Sequence, residues 1–394
     1  MQNAHEFGST LVVILSSGAT FFGCLIIFYL IEKRRRRKHQ KSIKQLMKGK
    51  AKAIVDRHVR NPIIAPSPHN DWEAGGTFNP AAWKDEKGKT HLVYRAVGAD
   101  GISRLGYAES KDGQNFQSLH YPIYTMENPR FLRGRDAEQR KYDRVMYPSG
   151  GSFGGAEDPR MVEIDGRIYV SCSAFDGWDF IRIAIISIDK NDFINKRWKW
   201  SNVLLISPEG EVHKNWVLFP EKINGKFAIL HTISPQIEID YVDQLEDLAY
   251  GRKKIKSVFS SSIEREGWDK RVRGVGAPPV RTKYGWLLLY HATDKEEPHK
   301  YKVGAMMLDI NDPSRIIARS PGPLLTPDMW YENEWKAGVV YVCGAVLENG
   351  ALHIYYGGGD RYVCMAEIAE DHLMEWLMGD KTKDLQKVAE LMQK

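Results

Sequence analysis

Cysteine is scarce, 4 residues in 394, so the chain is not held together by a disulfide framework. Cys24 falls in an apolar run, and Cys172, Cys343 and Cys364 are left as an odd number elsewhere, the pattern of a reducing compartment. Walker loop, dinucleotide fingerprint, Ser-His-Asp order and metal-ligand spacing are all missing. Gly274-Val275-Gly276 runs into Ala277-Pro278-Pro279 rather than a helix, which makes it a poor phosphate loop of the usual kind. Neither sign of charge dominates, with 56 Lys+Arg against 50 Asp+Glu and a formal charge of +6. The basicity is local: from Glu32 to Arg60 thirteen basic residues meet two acids, net +11, so the remainder carries −5. That argues against a nucleic-acid-binding face, which spreads positive charge where it meets phosphates. With 43% hydrophobic residues, disorder and collagen are ruled out, and 11 Trp with 18 Tyr point to a β-rich core or to flat ligands such as sugars.

One long uncharged run is present. Leu11 to Ile31 covers 21 residues, enough to cross a bilayer core as a helix. Its basic flank, Lys33-Arg34-Arg35-Arg36-Arg37-Lys38, follows the run instead of preceding it, the reverse of a cleaved signal peptide. The expectation is a short tail (1–10), a single-pass transmembrane helix (11–31), a basic juxtamembrane segment (32–60), and a body kept in the cytoplasm by the positive-inside rule. The basic segment either lies on the anionic inner leaflet or serves as a solvated spacer.

Past Asn61, helical periodicity is absent until the carboxyl end, and a repeat takes its place. Each unit sets a Pro or small residue before a strand, then a turn glycine, then a β-branched or aromatic strand: HLVYRA after Gly88, IYVSCSA after Gly166, FAILHT after Gly225, WLLLYHA after Gly285 and LHIYYGG after Gly350. The glycines are 78, 59, 60 and 65 residues apart, room for about four strands per step. The fold expected is all-β, a five-bladed β-propeller over 61–366, followed by a helical segment at 367–394. Closing five units in a ring brings their equivalent ends around one central pocket.

The polar residues at repeat positions are the candidates for chemistry: Asn79, Arg95, Arg104, Asp158, Arg160, Lys214, Asn215, Glu221, Lys222, Arg273, His291 and Asp360. In Gly154-Gly155-Ala156-Glu157-Asp158-Pro159-Arg160, a proline fixes the backbone and glycines permit close approach by a ligand. In an aromatic pocket Asp158 would hold a raised pKa and act as a general acid; alternatively it caps a turn and pairs with Arg160. His291 reads as an anion ligand or a satisfied core imidazole. Asp360, after Gly357-Gly358-Gly359, reads as a carboxylate for sugar hydroxyls beside space opened by the glycines.

Taken in order, FNPAA at Phe78, LVYRA at Leu92, SRLGYAESKDG at Ser103, GAEDPRM at Gly155, LFPEKINGKFAILH at Leu218, GVGAPPVRTKYGWLLLYHA at Gly274 and IYYGGGD at Ile354 resemble glycoside hydrolase family 130 from about Asn61 to Ala366. Members are five-bladed propellers acting on β-mannosides as inverting phosphorylases or, in some branches, hydrolases. The resemblance implies that Asp158 is the catalytic acid, protonating the glycosidic oxygen through the mannose 3-hydroxyl. It also implies that Asn79, Arg104 and Asp360 hold the mannosyl unit, with Arg95 in the repeat position beside them. Phosphate would be bound by Lys214, Asn215 and His291. Two departures stand out: Thr232 replaces an arginine and Val272 a lysine of the family's phosphate set, and Arg273 or Arg271 is then needed as a substitute charge. Each lost charge-assisted bond is worth about 1.5–3 kcal/mol.

Three readings follow. The first is phosphorolysis of a β-mannoside oligosaccharide or glycoconjugate to α-mannose 1-phosphate, with inorganic phosphate as co-substrate and no metal or other cofactor. The second is hydrolysis, with Glu221 or Glu332 as base. The third is a membrane-tethered carbohydrate-binding propeller without catalysis.

Overall fold

The computed structural model describes residues 55–126, 150–176, 181–257 and 267–379. The chain divides into 1–50 and 51–394, and the description concerns the second unit alone. The expected transmembrane helix and most of the basic segment lie outside the described residues. Among the described residues no helix is long and apolar enough to cross a membrane.

The unit is built of antiparallel meanders, one for each sequence repeat. The first comprises Gly76–Lys84, Thr90–Val97, Ile102–Ser110 and the short Gln117–Ser118. The second comprises Gly154–Ile164, Arg167–Phe175, Ile181–Asp189 and Leu204–Leu205. Val217–Leu218, Phe227–Thr232 and Glu238–Val242 form the third. The fourth holds Arg271–Val275, Val280–Thr282, Gly285–Thr293, Lys302–Leu308 and Ile316–Arg319. Val340–Glu348, Ala351–Gly358 and Tyr362–Ala369 make the fifth, and the chain ends its described part in the helix Glu370–Met378.

Hairpin chemistry explains the turns. Asp165-Gly166, Asn224-Gly225 and Asn349-Gly350 all have positive φ at both positions, the backbone of a two-residue type I′ turn, which Asn-Gly and Asp-Gly adopt at least cost. The strands that follow these and the other turn glycines are buried almost throughout rather than alternating, because both faces are covered. Thr90–Val97, Phe227–Thr232 and Gly285–Thr293 are buried at every position. Val93 and Tyr107 pack with Val170 and Ile186 between the first and second meanders, and Ile183 and Ile185 with Leu218 and Ile229 between the second and third. Leu230 and Phe219 meet Trp286 and Leu288, and Tyr355 and Val363 return to Leu92 and Tyr94. Each fully buried Val, Leu, Ile or Phe contributes about 1.5–3 kcal/mol.

Two features differ from five separate repeats. A parallel pairing of Ile102 with Gly154 and of Ser103 with Gly155 merges the first two meanders into one eight-stranded sheet. Gly155 permits it, since a Cβ there would sit 2.1 Å from the Ser103 carbonyl oxygen. That glycine therefore admits a neighbouring strand, not a ligand. The second feature is a strand ahead of Asn61: Asp56–Arg57 pairs with Tyr362–Ala369, so the amino end of the unit adds a strand to its last sheet. Arg57 donates to the fully buried Glu332 at 2.7 Å.

Candidate active site

The leading strands of four meanders are interrupted at equivalent places. Register shifts fall between Phe78 and Ala81, Glu157 and Arg160, Val272 and Gly274, and Val342 and Gly344. Asn79 and Asp158 occupy two of these bulges at φ of 49° and 50°, and Asn215 precedes the third meander at 65°. Asn and Asp tolerate this left-handed backbone better than other non-glycine residues, and a bulge re-aims the side chain it carries. Asn-Pro and Asp-Pro were thus the legible marks of the positions that converge.

Asp158 is the meeting point. Its Oδ1 accepts from Asn79 Nδ2 at 2.7 Å and from Arg95 Nη1 at 3.0 Å. Arg95 is fully buried and also donates to Glu157 Oε1 at 2.8 Å, Ser152 Oγ at 3.0 Å and Ser103 Oγ at 3.0 Å. The surroundings are basic where an aromatic pocket was expected. Burial works to raise the Asp158 pKa, but Arg95, Lys214 and Arg160, with the Asn79 bond, hold it below the ordinary carboxylate range. The expected pairing with Arg160 does not form through the carboxylate; Arg160 Nη1 donates to the Asp158 backbone carbonyl at 2.8 Å.

Arg160 ties this cluster to the next. Its Nη2 donates to Asn215 Oδ1 at 2.8 Å, an atom that also accepts from Tyr341 OH at 2.7 Å, while Asn215 Nδ2 donates to the Arg273 carbonyl at 3.0 Å. One amide N–H of Asn215 is left for a ligand. The His291 ring stacks on Tyr341 with centroids 3.9 Å apart, and its Nε2 accepts from Val342 N at 2.9 Å. The proton therefore resides on Nδ1, and burial, followed by the Arg160 charge, pushes the pKa down to about 3. Among the described residues, that Nδ1 and Asn79 Oδ1 are buried without hydrogen-bond partners, one donor and one acceptor beside the same cluster. An unmet buried polar atom costs about 1–3 kcal/mol.

A small recess lies alongside, lined by His213, Lys214, Asn215, His231, Ser257 and Arg273 among others. Lys214 Nζ reaches Glu157 Oε2 at 3.1 Å, and Arg273 rests on Tyr301, donating to its hydroxyl at 2.9 and 3.1 Å. Val272 is fully buried in the apolar core, whereas Arg273, one residue on, faces the recess. Thr232 Oγ1 contacts His231 Nδ1 at 3.2 Å and Ser257 Oγ at 3.1 Å.

The remaining candidates lie farther out. Asp360 accepts from Lys336 Nζ at 2.6 Å and its charge is felt by Arg95. Gly357 opens space for Asn79 rather than for a ligand: a Cβ there would fall 2.0 Å from Asn79 Oδ1. Arg104 is held by Asp100 at 2.6 and 3.0 Å and by the Ile102 carbonyl, and makes no bond to the Asp158 cluster. Lys222 pairs with Asp165. Neither proposed base faces Asp158 unengaged: Glu221 is bound to Arg281 at the surface, and Glu332 holds Arg57 and the Tyr356 hydroxyl. Glu157, Tyr341, Tyr301, Lys336 and the histidines 213 and 231 were not singled out from sequence. Only Glu157, next to Asp158, carried a signal. Among the described residues no group of three His, Cys, Asp or Glu could hold a metal ion.

A family model described as beta-1,4-mannooligosaccharide phosphorylase matches residues 34–379. A 1,2-beta-oligomannan phosphorylase of Thermoanaerobacter sp. (strain X514) is 36% identical over 315 residues, 77% of this chain and 94% of that protein. A beta-1,2-mannobiose phosphorylase of the same organism is 32% identical over 329 residues, 80% and 97% of the two chains. The solved beta-1,2-mannobiose phosphorylase of Listeria innocua, in complex with beta-1,2-mannobiose, superposes with a TM-score of 0.61 at 23% identity, covering 82% of this chain and 99% of that one, a likeness of fold.

Proposed function

This chain belongs to glycoside hydrolase family 130, and on that footing we propose that it is an inverting phosphorylase of β-mannosides that releases α-mannose 1-phosphate. The observation that carries the reading is the cationic recess beside Asp158. Lys214, Arg273 and the remaining amide N–H of Asn215 are suited to a phosphate anion. Arg273 takes the place of the ammonium that Val272 removes.

The five meanders form a closed five-bladed propeller in this reading, sealed by the strand Asp56–Arg57, which accounts for side chains from all five meanders meeting at one place. Mannose occupies the space against Asn79, Arg95 and Asp360. Phosphate in the recess attacks the anomeric carbon from the face opposite Asp158, whose proton reaches the glycosidic oxygen by way of the mannose 3-hydroxyl. The relatives named for 1,2-linked mannosides make those the first substrates to try.

The test is incubation of the protein with β-1,2- and β-1,4-linked mannosides, with and without phosphate, following mannose 1-phosphate and mannose separately. Mannose 1-phosphate is expected only when phosphate is present. Free mannose at a rate indifferent to phosphate would replace phosphorolysis with hydrolysis, and sugar binding without turnover would leave a binding propeller.

A further inference from the structure

Thr232 stands where the family resemblance implies an arginine, and its hydroxyl is put to a different use. His231 is buried, lines the recess and has both ring nitrogens engaged. Nε2 lies 3.1 Å from Asp240 Oδ2, and Nδ1 lies 3.2 Å from Thr232 Oγ1, which is itself 3.1 Å from Ser257 Oγ. Ser257 lines the same recess, and among the described residues its hydroxyl meets only Thr232. An imidazole, two hydroxyls and the recess are thus joined in one line.

Each hydroxyl carries a single proton, so the line has a direction. A carboxylate only accepts, so the proton of the neutral imidazole sits on Nε2, facing Asp240, and Nδ1 is an acceptor. Thr232 then donates to Nδ1, Ser257 donates to Thr232, and Ser257 offers the recess lone pairs alone. A second proton, on Nδ1, reverses the line. Nδ1–H donates to Thr232 Oγ1, Thr232 donates to Ser257 Oγ, and the Ser257 proton turns into the recess. The reversed line suits an anion on two counts, a donor at its end and a positive charge behind it.

We propose that His231, acting through Thr232 and Ser257, is a positioning residue that makes the recess bind phosphate in a proton-dependent way: one proton from solvent enters on Nδ1 as the anion binds and returns to solvent as it leaves. The inference rests on the phosphorylase reading of the recess. With the recess empty, burial holds the His231 pKa below its ordinary value, against the pull of Asp240 and Glu238. An anion beside Ser257 raises it. Anion affinity therefore climbs as pH falls between those two values. The charged and titratable groups around this imidazole are Asp240 and Glu238 on the adjoining strand, His213, Lys214 and Arg273 around the recess, and Tyr241, Lys256 and Asp312 in a second groove that His231 also lines. Of these, His213 is the other imidazole, with Nε2 2.7 Å from Glu211, and it serves as the control.

Sulfate is the probe, a dianion with no titration of its own near neutral pH. Its binding to the full chain is measured by calorimetry from pH 8.5 to pH 5.5 at constant ionic strength. One linked proton allows at most about a tenfold change in affinity per pH unit. Wild-type protein is expected to bind sulfate about 10-fold tighter at pH 6 than at pH 8. His231→Gln, Thr232→Val and Ser257→Ala should each flatten that difference to below about 2-fold, whereas His213→Gln should keep it. Lost packing alone would weaken binding equally at every pH. Thr232→Val leaves the imidazole in place, so a flat profile there separates the hydroxyl line from the charge of His231 acting through space. If His231→Gln does not fold, Thr232→Val and Ser257→Ala, which remove one hydroxyl each, carry the test. A wild-type affinity indifferent to pH, a dependence that survives both hydroxyl variants, or one lost in His213→Gln overturns the inference and leaves phosphorolysis standing. If sulfate does not bind, the same comparison is made with phosphate, its own ionisation subtracted; absence of both phosphate binding and phosphorolysis overturns the underlying reading.

Discussion

Gly357 shows how a residue without a side chain shapes the site, because the position a Cβ would take lies 2.0 Å from Asn79 Oδ1. Gly357→Ala must push Asn79 away, and with it the 2.7 Å bond to Asp158. A displacement on the order of 1 Å in catalytic machinery costs about 10²-fold in rate. Gly357→Ala is therefore expected to lower kcat/KM by about that factor with a modest change in unfolding midpoint. Steady-state kinetics beside a urea titration checks it, and unchanged kinetics would mean that the Asn79–Asp158 bond does not matter to turnover. The opposite move occurs at 272 and 273. A side chain that the family resemblance implies to be cationic is valine in the core, and the next residue, Arg273, lines the recess. Adjacent strand residues face opposite sides, and the register shift between Val272 and Gly274 is where this strand departs from simple alternation.

At the scale of elements, the strand Asp56–Arg57 is small but closes the last sheet. Arg57 donates to Glu332 at 2.7 Å, and Glu332 is fully buried. Removing one partner of a buried pair leaves an uncompensated charge and costs about 3–5 kcal/mol. Arg57→Ala is expected to lower the free energy of unfolding by about that amount. Denaturant titration would reveal it, and a loss below about 1 kcal/mol would place the pair with weak surface bridges. The same logic says that a fragment beginning at Asn61, which lacks this strand, should be less stable than one beginning at residue 51.

For the whole molecule, buried histidines set the response to acid. His91, His231, His291 and His353 all have pKa values lowered chiefly by burial, His291 to about 3. Below about pH 6.5 the unfolded chain binds protons at these sites that the folded chain refuses. Stability therefore falls as pH drops through the unfolded value and keeps falling toward the folded one. Glu109 acts in the same direction: burial opposes ionisation but Lys196, Tyr107 and Lys89 lower its pKa to about 2, so the stability it gives is lost as pH falls from its ordinary value toward that one. Urea unfolding at pH 7 and pH 5 should give a lower free energy at pH 5, with a shallower difference in His291→Gln. Equal or greater stability at pH 5 would show that these imidazoles are protonated in the folded state.

Much of this was legible in the chain. Asn-Gly and Asp-Gly turns, apolar second strands and the repeat spacing determined an all-β body of similar units, because hairpin geometry and burial are local demands. Asn79-Pro80 and Asp158-Pro159 marked the bulges, since few other residues accept that backbone. The raised pKa expected of Asp158, the ligand space expected beside Gly357 and the bases expected in Glu221 and Glu332 were decided otherwise by packing. Each depends on which groups from distant parts of the chain are packed together: Arg95 bonded to Asp158 and Lys214 to Glu157, Asn79 against Gly357, Arg57 paired with Glu332. Those partners are 57 to 278 positions apart. Local sequence determines the strand and the turn; only the stacking of sheet on sheet decides what charge stands next to a carboxylate, and hence what that carboxylate can do.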